Sequence, residues 1–315
     1  MIECIGELLK HDQAGDPMHG LKWTRRTTRK IAQQLRRLKI RIGATTVGRL
    51  LKDMGFSLRV NQKALESGNK NPPPRRVRNR QFKYINKMRK EFAEAQRPVI
   101  SVDTKKKEKI GNFKNNGVSW EKGARRVKDH DFPSDAEGVA ILYGIHDTQA
   151  NKGFVAVGTS HETPAFAVDA IVLWWTSYGS SMYPKADELL ILADCGGGNS
   201  VRARAWKYHL QHRLCEPHRL KVTVCHYPPG ASKWNPIEHQ LFSFISKNWE
   251  GNPLESYETV LNYARRTTTS SGLRVRARLT RKNYPTGEKI SPKEMDLLAL
   301  QRHKTLPGWN YSLIP

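Results

Sequence analysis

The sequence predicts an α/β fold in which a mixed five-stranded sheet is flanked by helices and preceded by an all-helical basic region. Three observations carry that expectation. Beyond residue 98, short apolar runs of strand length alternate with stretches of helical spacing. Before it, apolar residues recur only at helical intervals. The charge is also uneven, with 24 Lys/Arg against 8 Asp/Glu over residues 1–97 and 30 against 21 over the remainder.

The first helical pattern lies in TTRKIAQQLRRL, where Ile31, Leu35 and Leu38 share a face and Thr27 or Thr28 caps the start. Gly43 breaks the chain. Val47, Leu50, Leu51 and Met54 then mark a second helix, capped by Thr45 or Thr46 and closed by Gly55. Two short helices around a glycine-containing turn resemble a helix-turn-helix, whose second helix would offer Thr45, Thr46, Arg49 and Lys52 to a DNA groove. An ordinary helical hairpin with a solvated basic face has the same pattern. Residues 1–65 are expected to form this region. Residues 66–97 follow as a basic linker, ESGNKNPPPRRVRNRQ, and a helix through Phe82, Ile85, Met88 and Phe92. Arg75 and Arg76 of the linker are candidates for the phosphate backbone.

From 98 the strands begin. PVISVD ends its apolar run on Asp103. GVAILYGI (138–145) and GFVAVGTS (153–160) flank the turn-forming HDTQANK. A helix over 162–179 leads to LLILAD (189–194), which ends on Asp194 before three glycines. A helix over 201–214 leads to the strand LKVTVCHY (220–227), and NPIEHQLFSFIS opens another helix. Three strands, helix, strand, helix, strand, helix is the order of an antiparallel meander entering parallel crossovers. The core is expected over 98–263, with a basic extension over 264–315. In that extension Arg274, Arg276 and Arg278 alternate with apolar residues, as on a strand with one basic face.

The whole chain of 315 residues carries 54 basic against 29 acidic residues, a net +25, and such an excess calls for a polyanionic partner. Nucleic acid fits better than membrane, since no apolar stretch approaches the roughly 20 residues of a spanning helix. The N-terminus lacks a signal-peptide pattern, and the four cysteines lack paired spacing, which suits a reducing cytoplasm and a nucleoid-associated protein. Cys215, His218, Cys225 and His226 do not have the two tight ligand pairs of a structural zinc site.

The chemistry-bearing residues are carboxylates. Phosphodiester transfer needs the attacking oxygen activated and the leaving oxygen neutralised, which two Mg²⁺ ions roughly 3.5–4 Å apart achieve in line. Asp103 and Asp194 end apolar strands, where sites of open sheets gather. Glu238 stands in the first turn of a later helix. Each also has a plain structural reading, strongest for Glu238: Asn235, Pro236 and Glu238 have the spacing of a capping box. Glu108 is a weaker carboxylate candidate beside the lysine run 105–107. Lys105 and Lys106 would meet phosphates there, or form a solvated turn. Lys233, Trp234 and Asn235 precede Glu238, and Trp234 could stack on a frayed base or belong to the core. His146, Asp147, His161 and Glu162 are candidates for a surrounding shell, with surface polarity as the plainer explanation.

The stretches RPVISVDTKKKEKIGNFKN, HDFP, YGIHD, FAVDAIVLWW, LLILADCGGGNS, VCHYPPGASKWNPIEHQLFSFISKNW and YPTGEKIS resemble the DDE transposases of bacterial insertion sequences, Rhodopirellula type, which are distantly similar to mariner-like elements. The resemblance runs from about 97 to the C-terminus. It implies an RNase H-like core, two Mg²⁺ ions (or Mn²⁺), and cleavage and joining of double-stranded DNA at terminal inverted repeats and in a target. Two ends imply a homodimer or larger assembly at work. By matching position the acidic triad falls on Asp103, Asp194 and Glu238. The sequence departs from the pattern in Cys195, which stands where the glycine run would begin, and in a short N-terminus that suggests a truncated copy. Two other readings remain: a DNA-binding regulator or decayed transposase without cleavage, and another RNase H-like nuclease. An intact triad disfavours the first, and a DNA-binding N-terminal region disfavours the second.

Overall fold

The computed structural model describes residues 2–10, 13–15, 22–24, 27–57, 72–119, 121–231 and 234–315. The chain divides into two compact units, Met1–Leu65 and Glu66–Pro315.

The first unit contains α1 (Ile2–Lys10), an antiparallel ribbon of β1 (Gln13–Gly15) and β2 (Lys22–Thr24), then α2 (Thr28–Arg37) and α3 (Ala44–Asp53). It is therefore not all-helical as expected, because three-residue strands are too short to show an alternating pattern. Thr27 is the N-cap of α2, its hydroxyl accepting from the Lys30 amide at 3.3 Å. α3 starts earlier than Thr45 or Thr46 would place it. Gly43 is its N-cap, with no side-chain bond, so both threonines lie in the first turn. Ile5, Ile31, Leu35 and Val47 form the centre of a small core, with Leu50, Leu51 and Met54 against it. Leu38, expected on the same stripe, ends α2 and is exposed. Gly55 closes α3 at φ +84°, a conformation glycine adopts without strain.

The second unit opens with α4 (Arg75–Glu94), which begins inside the stretch expected to be linker. Three prolines supply the entry, with Pro74 as N-cap, and the arginines that follow are good helix formers. Arg75 and Arg76 are thus exposed on a first helical turn. The buried stripe of α4 is Gln81, Ile85 and Phe92. Gln81 and Asn310 exchange amide bonds at 2.7 Å in each direction, and Gln81 also donates to the His226 carbonyl at 2.8 Å. A buried glutamine thus fastens the helix to two strands.

The elements after α4 are β3 (Val99–Thr104), β4 (Glu108–Ile110), β5 (Gly138–Asp147), β6 (Lys152–Gly158), α5 (Pro164–Trp174), α6 (Ser180–Met182) and β7 (Glu188–Ala193). Next come α7 (Arg204–His209), α8 (Glu216–His218), β8 (Lys221–His226), α9 (Ser243–Asn248), α10 (Tyr257–Arg266) and β9 (Arg274–Thr280). The unit ends with α11 (Pro292–Asp296), β10 (Leu300–Arg302) and β11 (Asn310–Leu313). π-helical stretches join α5 to α6, join α7 to α8, and precede α9.

All five expected strands form, as β3, β5, β6, β7 and β8, but the sheet has nine. Its order is β10-β11-β8-β7-β3-β5-β6-β9, with β4 pairing β5. β4, β10 and β11 are three or four residues long, too short for a period-two pattern to register. The residues set apart as an extension contribute β9, β10 and β11 to this sheet. β9 lies parallel to β6 at the edge, with Arg274, Arg276 and Arg278 exposed and Val275 and Ala277 buried.

Helices cover both faces. α5 and α7 pack Phe166, Ala170, Trp174 and Trp206 on Ile100, Val102, Ile191 and Val224. On the other face α4 covers Val99, Leu190 and Leu192. The helix around α9 lies beside it with α10, over Leu142, Val155 and Val157. Among the described residues no helix is long and apolar enough to cross a membrane.

Candidate active site

β3 and β7 run parallel, with Val99 opposite Leu190 and Val102 opposite Ala193. Continued one residue, that register sets Asp103 beside Asp194. Side chains alternate along β3, so Asp103 shares the face of Val99 and Ser101, where the helix bearing Glu238 packs.

Glu238 is brought there by its neighbour Asn235, and not by a capping box. The Asn235 side chain is fully buried. It accepts from the Ser101 hydroxyl and donates to the Val102 carbonyl at 3.2 Å. Ser101 Oγ in turn accepts from the Ile237 amide at 3.2 Å. The start of the helix is thereby bonded to the strand two residues before Asp103. Asn235, expected among the DNA contacts, is shut away from solvent because β3 uses both ends of its amide. Glu238 then opens the π-helical stretch Glu238–Phe242.

Gly144 permits the close approach. It pairs with Asp103 across β3 and β5, and a Cβ there would stand 2.7 Å from Phe242 Cζ and 2.9 Å from Ile237 Cδ1. No side chain fits between that strand and the helix.

Asp194 is held by the turn that follows it. Its Oδ1 accepts from the Gly196 amide at 3.1 Å and from Asn199 Nδ2 at 3.3 Å, and its carbonyl bonds to His226 Nδ1 at 2.7 Å. Burial holds His226 down at about 4, so the ring is neutral and its Nδ1–H is the donor to that carbonyl. Cys195 is bonded to the residue after β8. Its thiol, pushed up to about 12 by burial and the Asp194 charge, donates to the Tyr227 carbonyl at 3.0 Å.

The three acids oppose one another's ionisation. Burial first, then the charges of Asp194, Glu238 and Glu162, raise Asp103 to about 8. Burial and the Glu162 charge raise Asp194, and burial with the Asp194 charge raises Glu238. Among the described residues no three Asp, Glu, His or Cys side chains already enclose an ion-sized point. A divalent cation is the group that would relieve both burial and repulsion, so the donors fit one.

Glu162 belongs near this cluster. Its sequence signal is faint: a polar residue before a helix, about sixty positions from Asp103 and thirty from Asp194, which only the order of connection in an α/β sheet brings together. His146 and Asp147 instead sit inside the β5–β6 hairpin. His146 bonds Asn151 at 3.2 Å, and Asp147 accepts from Gln149, Ala150 and Tyr183. Lys105 is also not in the exposed turn expected for residues 105–107. It is buried, paired with Glu108, and its ammonium lies 4.7 Å from the Trp249 ring centroid. Lys106 is exposed. Trp234 is exposed too, edge-on to Phe82 at 6.2 Å, and so is not a core residue. Lys233 lies outside the described residues. Thr45, Arg49 and Lys52 are exposed on α3, and Thr46 is half-buried.

No curated protein matches this chain. Among solved structures it is similar to the Mos1 strand transfer complex, with 15% identity and a TM-score of 0.47 over 84% of this chain and 68% of that one. It is also similar to the Mos1 transposase paired-end complex with the left transposon end, with 15% identity and a TM-score of 0.44 over 84% and 69%. The Mos1 mariner paired-end complex with Mn gives 16%, 0.44, and the same coverage. The family model of the Rhodopirellula transposase DDE domain matches residues 5–315, and the chain belongs to that family of DDE transposases.

Proposed function

We propose that this transposase cuts and joins DNA at the ends of an insertion sequence with two divalent cations, Mg²⁺ or Mn²⁺, held by Asp103, Asp194 and Glu238. The observation that supports it most is the parallel register of β3 and β7, which sets two carboxylates side by side under a third. Such ions, when bound, activate the attacking oxygen and neutralise the leaving one in line. The protein's own part is placement. Asp103 feels the charges of both other acids and would serve both ions. Asp194 is oriented by the Gly196 amide and Asn199, and Glu238 by the Asn235 anchor. The central strands run in the order third, second, first, fourth, fifth, in keeping with an RNase H-like core.

The basic residues supply the DNA side of the reading. Arg274, Arg276 and Arg278 line an exposed sheet edge, Arg75 and Arg76 the start of α4, and Lys106 and Trp234 flank the acids in sequence. Thr45, Thr46, Arg49 and Lys52 on α3, with Lys233, complete the proposed contacts to double-stranded DNA. Two ends handled together call for a homodimer or larger assembly.

The test is cleavage in vitro with Mg²⁺ on DNA carrying the element's ends, comparing wild type with Asp194→Asn. Wild type should nick the end and Asp194→Asn should not. Equal cutting by both, or none by wild type, overturns the assignment.

A further inference from the structure

A second group of polar atoms lies on the α5 side of the same carboxylates. Tyr143 is fully buried and its hydroxyl has no hydrogen-bond partner in the protein. Tyr143 pairs across β3 and β5 with Thr104, the residue after Asp103, and the charges of Asp103, Asp194 and Glu162 act on it. Asn199 is 1% exposed. Its Nδ2 is spent on Asp194, while its Oδ1 is unpartnered, as is Thr104 Oγ1. Buried polar atoms without partners are costly, and these belong to a residue bonded to Asp194, the residue after Asp103 and its partner across the strands, so a ligand or ordered water there would complete them.

Glu162 stands at the rim of this group. It precedes the N-cap Thr163 of α5, and its side chain is 21% exposed. The glycines after Cys195 are what let it come so near. A Cβ on Gly197, which has φ +58°, would collide with Glu162 Oε1, and one on Gly198 would lie 3.0 Å from the Thr163 carbonyl. The glycine run therefore serves the approach of α5 to the Asp194 turn, beyond any need of the turn itself.

A plainer reading is that Glu162 favours the positive end of α5 and pairs with Lys107 at 3.6 Å. Lys107 is half exposed, and such a pair contributes little. It also leaves the Tyr143, Asn199 and Thr104 atoms without an explanation.

We infer that Glu162 is a fourth acidic residue of the catalytic centre, helping Asp194 to hold a divalent cation from the sheet face opposite Glu238, with Asn199 and the Tyr143 hydroxyl around its water shell. This rests on the metal-dependent reading of Asp103, Asp194 and Glu238. It adds one donor to that site and makes the HETP and GGGN segments two halves of one ligand shell.

The experiment is Mn²⁺ binding to the full chain, followed by paramagnetic resonance of free Mn²⁺, together with thermal unfolding in EDTA. Glu162→Gln should weaken Mn²⁺ binding by about 10- to 100-fold, the range for groups that support a metal shell. Without metal it should raise the unfolding midpoint, since one of four repelling charges is gone. Glu162→Asp should recover part of the affinity, which guards against a general folding defect. Lys107→Gln should bind Mn²⁺ as wild type does. Wild-type binding by Glu162→Gln, or an equal loss in Lys107→Gln, overturns the inference while leaving the triad intact. If Asp194→Asn also binds like wild type, the triad itself fails and the inference falls with it.

Discussion

Asn235 and Ser101 are bonded side chain to side chain beneath the proposed active site, although 134 residues separate them. Ser101 is two residues before Asp103, and Asn235 is three before Glu238. One buried contact therefore sets the distance between a strand-borne acid and a helix-borne one. Its partners are all inside the protein, so nothing replaces them when one is removed.

Asn235→Ala should destabilise the protein by about 1–3 kcal/mol, the cost of stranding a buried donor and acceptor. Cleavage should fall further than the folded fraction does, because Glu238 loses its reference point. Urea unfolding and single-turnover cleavage, each at a temperature where the variant is folded, measure the two effects separately. A variant that unfolds earlier yet cuts at the wild-type rate when folded would show that the anchor serves stability alone.

Gly144→Ala tests the packing of the same helix. The added methyl group would meet Phe242 and Ile237 at less than contact distance, an overpacking that costs about 1–3 kcal/mol. Phe242→Leu should partly rescue it, because the shorter side chain vacates the space. A double-mutant cycle by urea unfolding reads the coupling, and additive effects would mean that the helix yields elsewhere.

These two residues also show where the sequence was legible. Asp103 and Asp194 could be found because each ends an apolar run, and the order of strands and crossovers already implied that their strands adjoin. Glu238 is legible only through the resemblance of SKWNPIEH: the spacing of NPIE equally suits a capping box, and periodicity cannot reveal that Asn235 bonds a strand 134 residues away. Gln81 was hidden for the same reason, a polar residue in a basic stretch that the fold buries against Asn310. The approach of Glu162 depends on glycines that looked like a turn. The short strands β10 and β11 acquire their meaning only from the edge of β8 that they cover.

Asp103 predicts a pH dependence with a definite sign. Burial and the neighbouring acids raise it from 3.8 to about 8. Between those values the folded protein holds a proton that the unfolded chain has released, so folding stability from this group is present at low pH and lost as pH rises through the window. Asp103→Asn does not titrate. In EDTA, the unfolding midpoint of wild type should therefore fall relative to Asp103→Asn between about pH 4 and pH 8, then run level. Mg²⁺ should reverse the loss at the alkaline end, since it competes for the same oxygen atoms. Parallel midpoints across the range would show that Asp103 is an ordinary carboxylate.

The arginines of β9 can be separated by what lies under them. Arg276 has its guanidinium 4.1 Å from the Tyr178 ring centroid, and Tyr178 in turn packs against Phe154 at 5.7 Å. Arg274 and Arg278 flank it on the same exposed face. If this edge tracks a DNA backbone, each phosphate contact removed should flatten the plot of log affinity against log salt by about 0.9. Arg274→Gln and Arg278→Gln should therefore lower affinity for any duplex, flatten the salt dependence and leave the unfolding midpoint in place. Arg276→Gln should do the same to binding but also lower the midpoint, because it removes the cation from the tyrosine face. Fluorescence anisotropy with end-bearing and unrelated duplexes over a salt series distinguishes the cases. Unchanged slopes in all three variants would assign the basic face of β9 to solvent, with the duplex carried elsewhere.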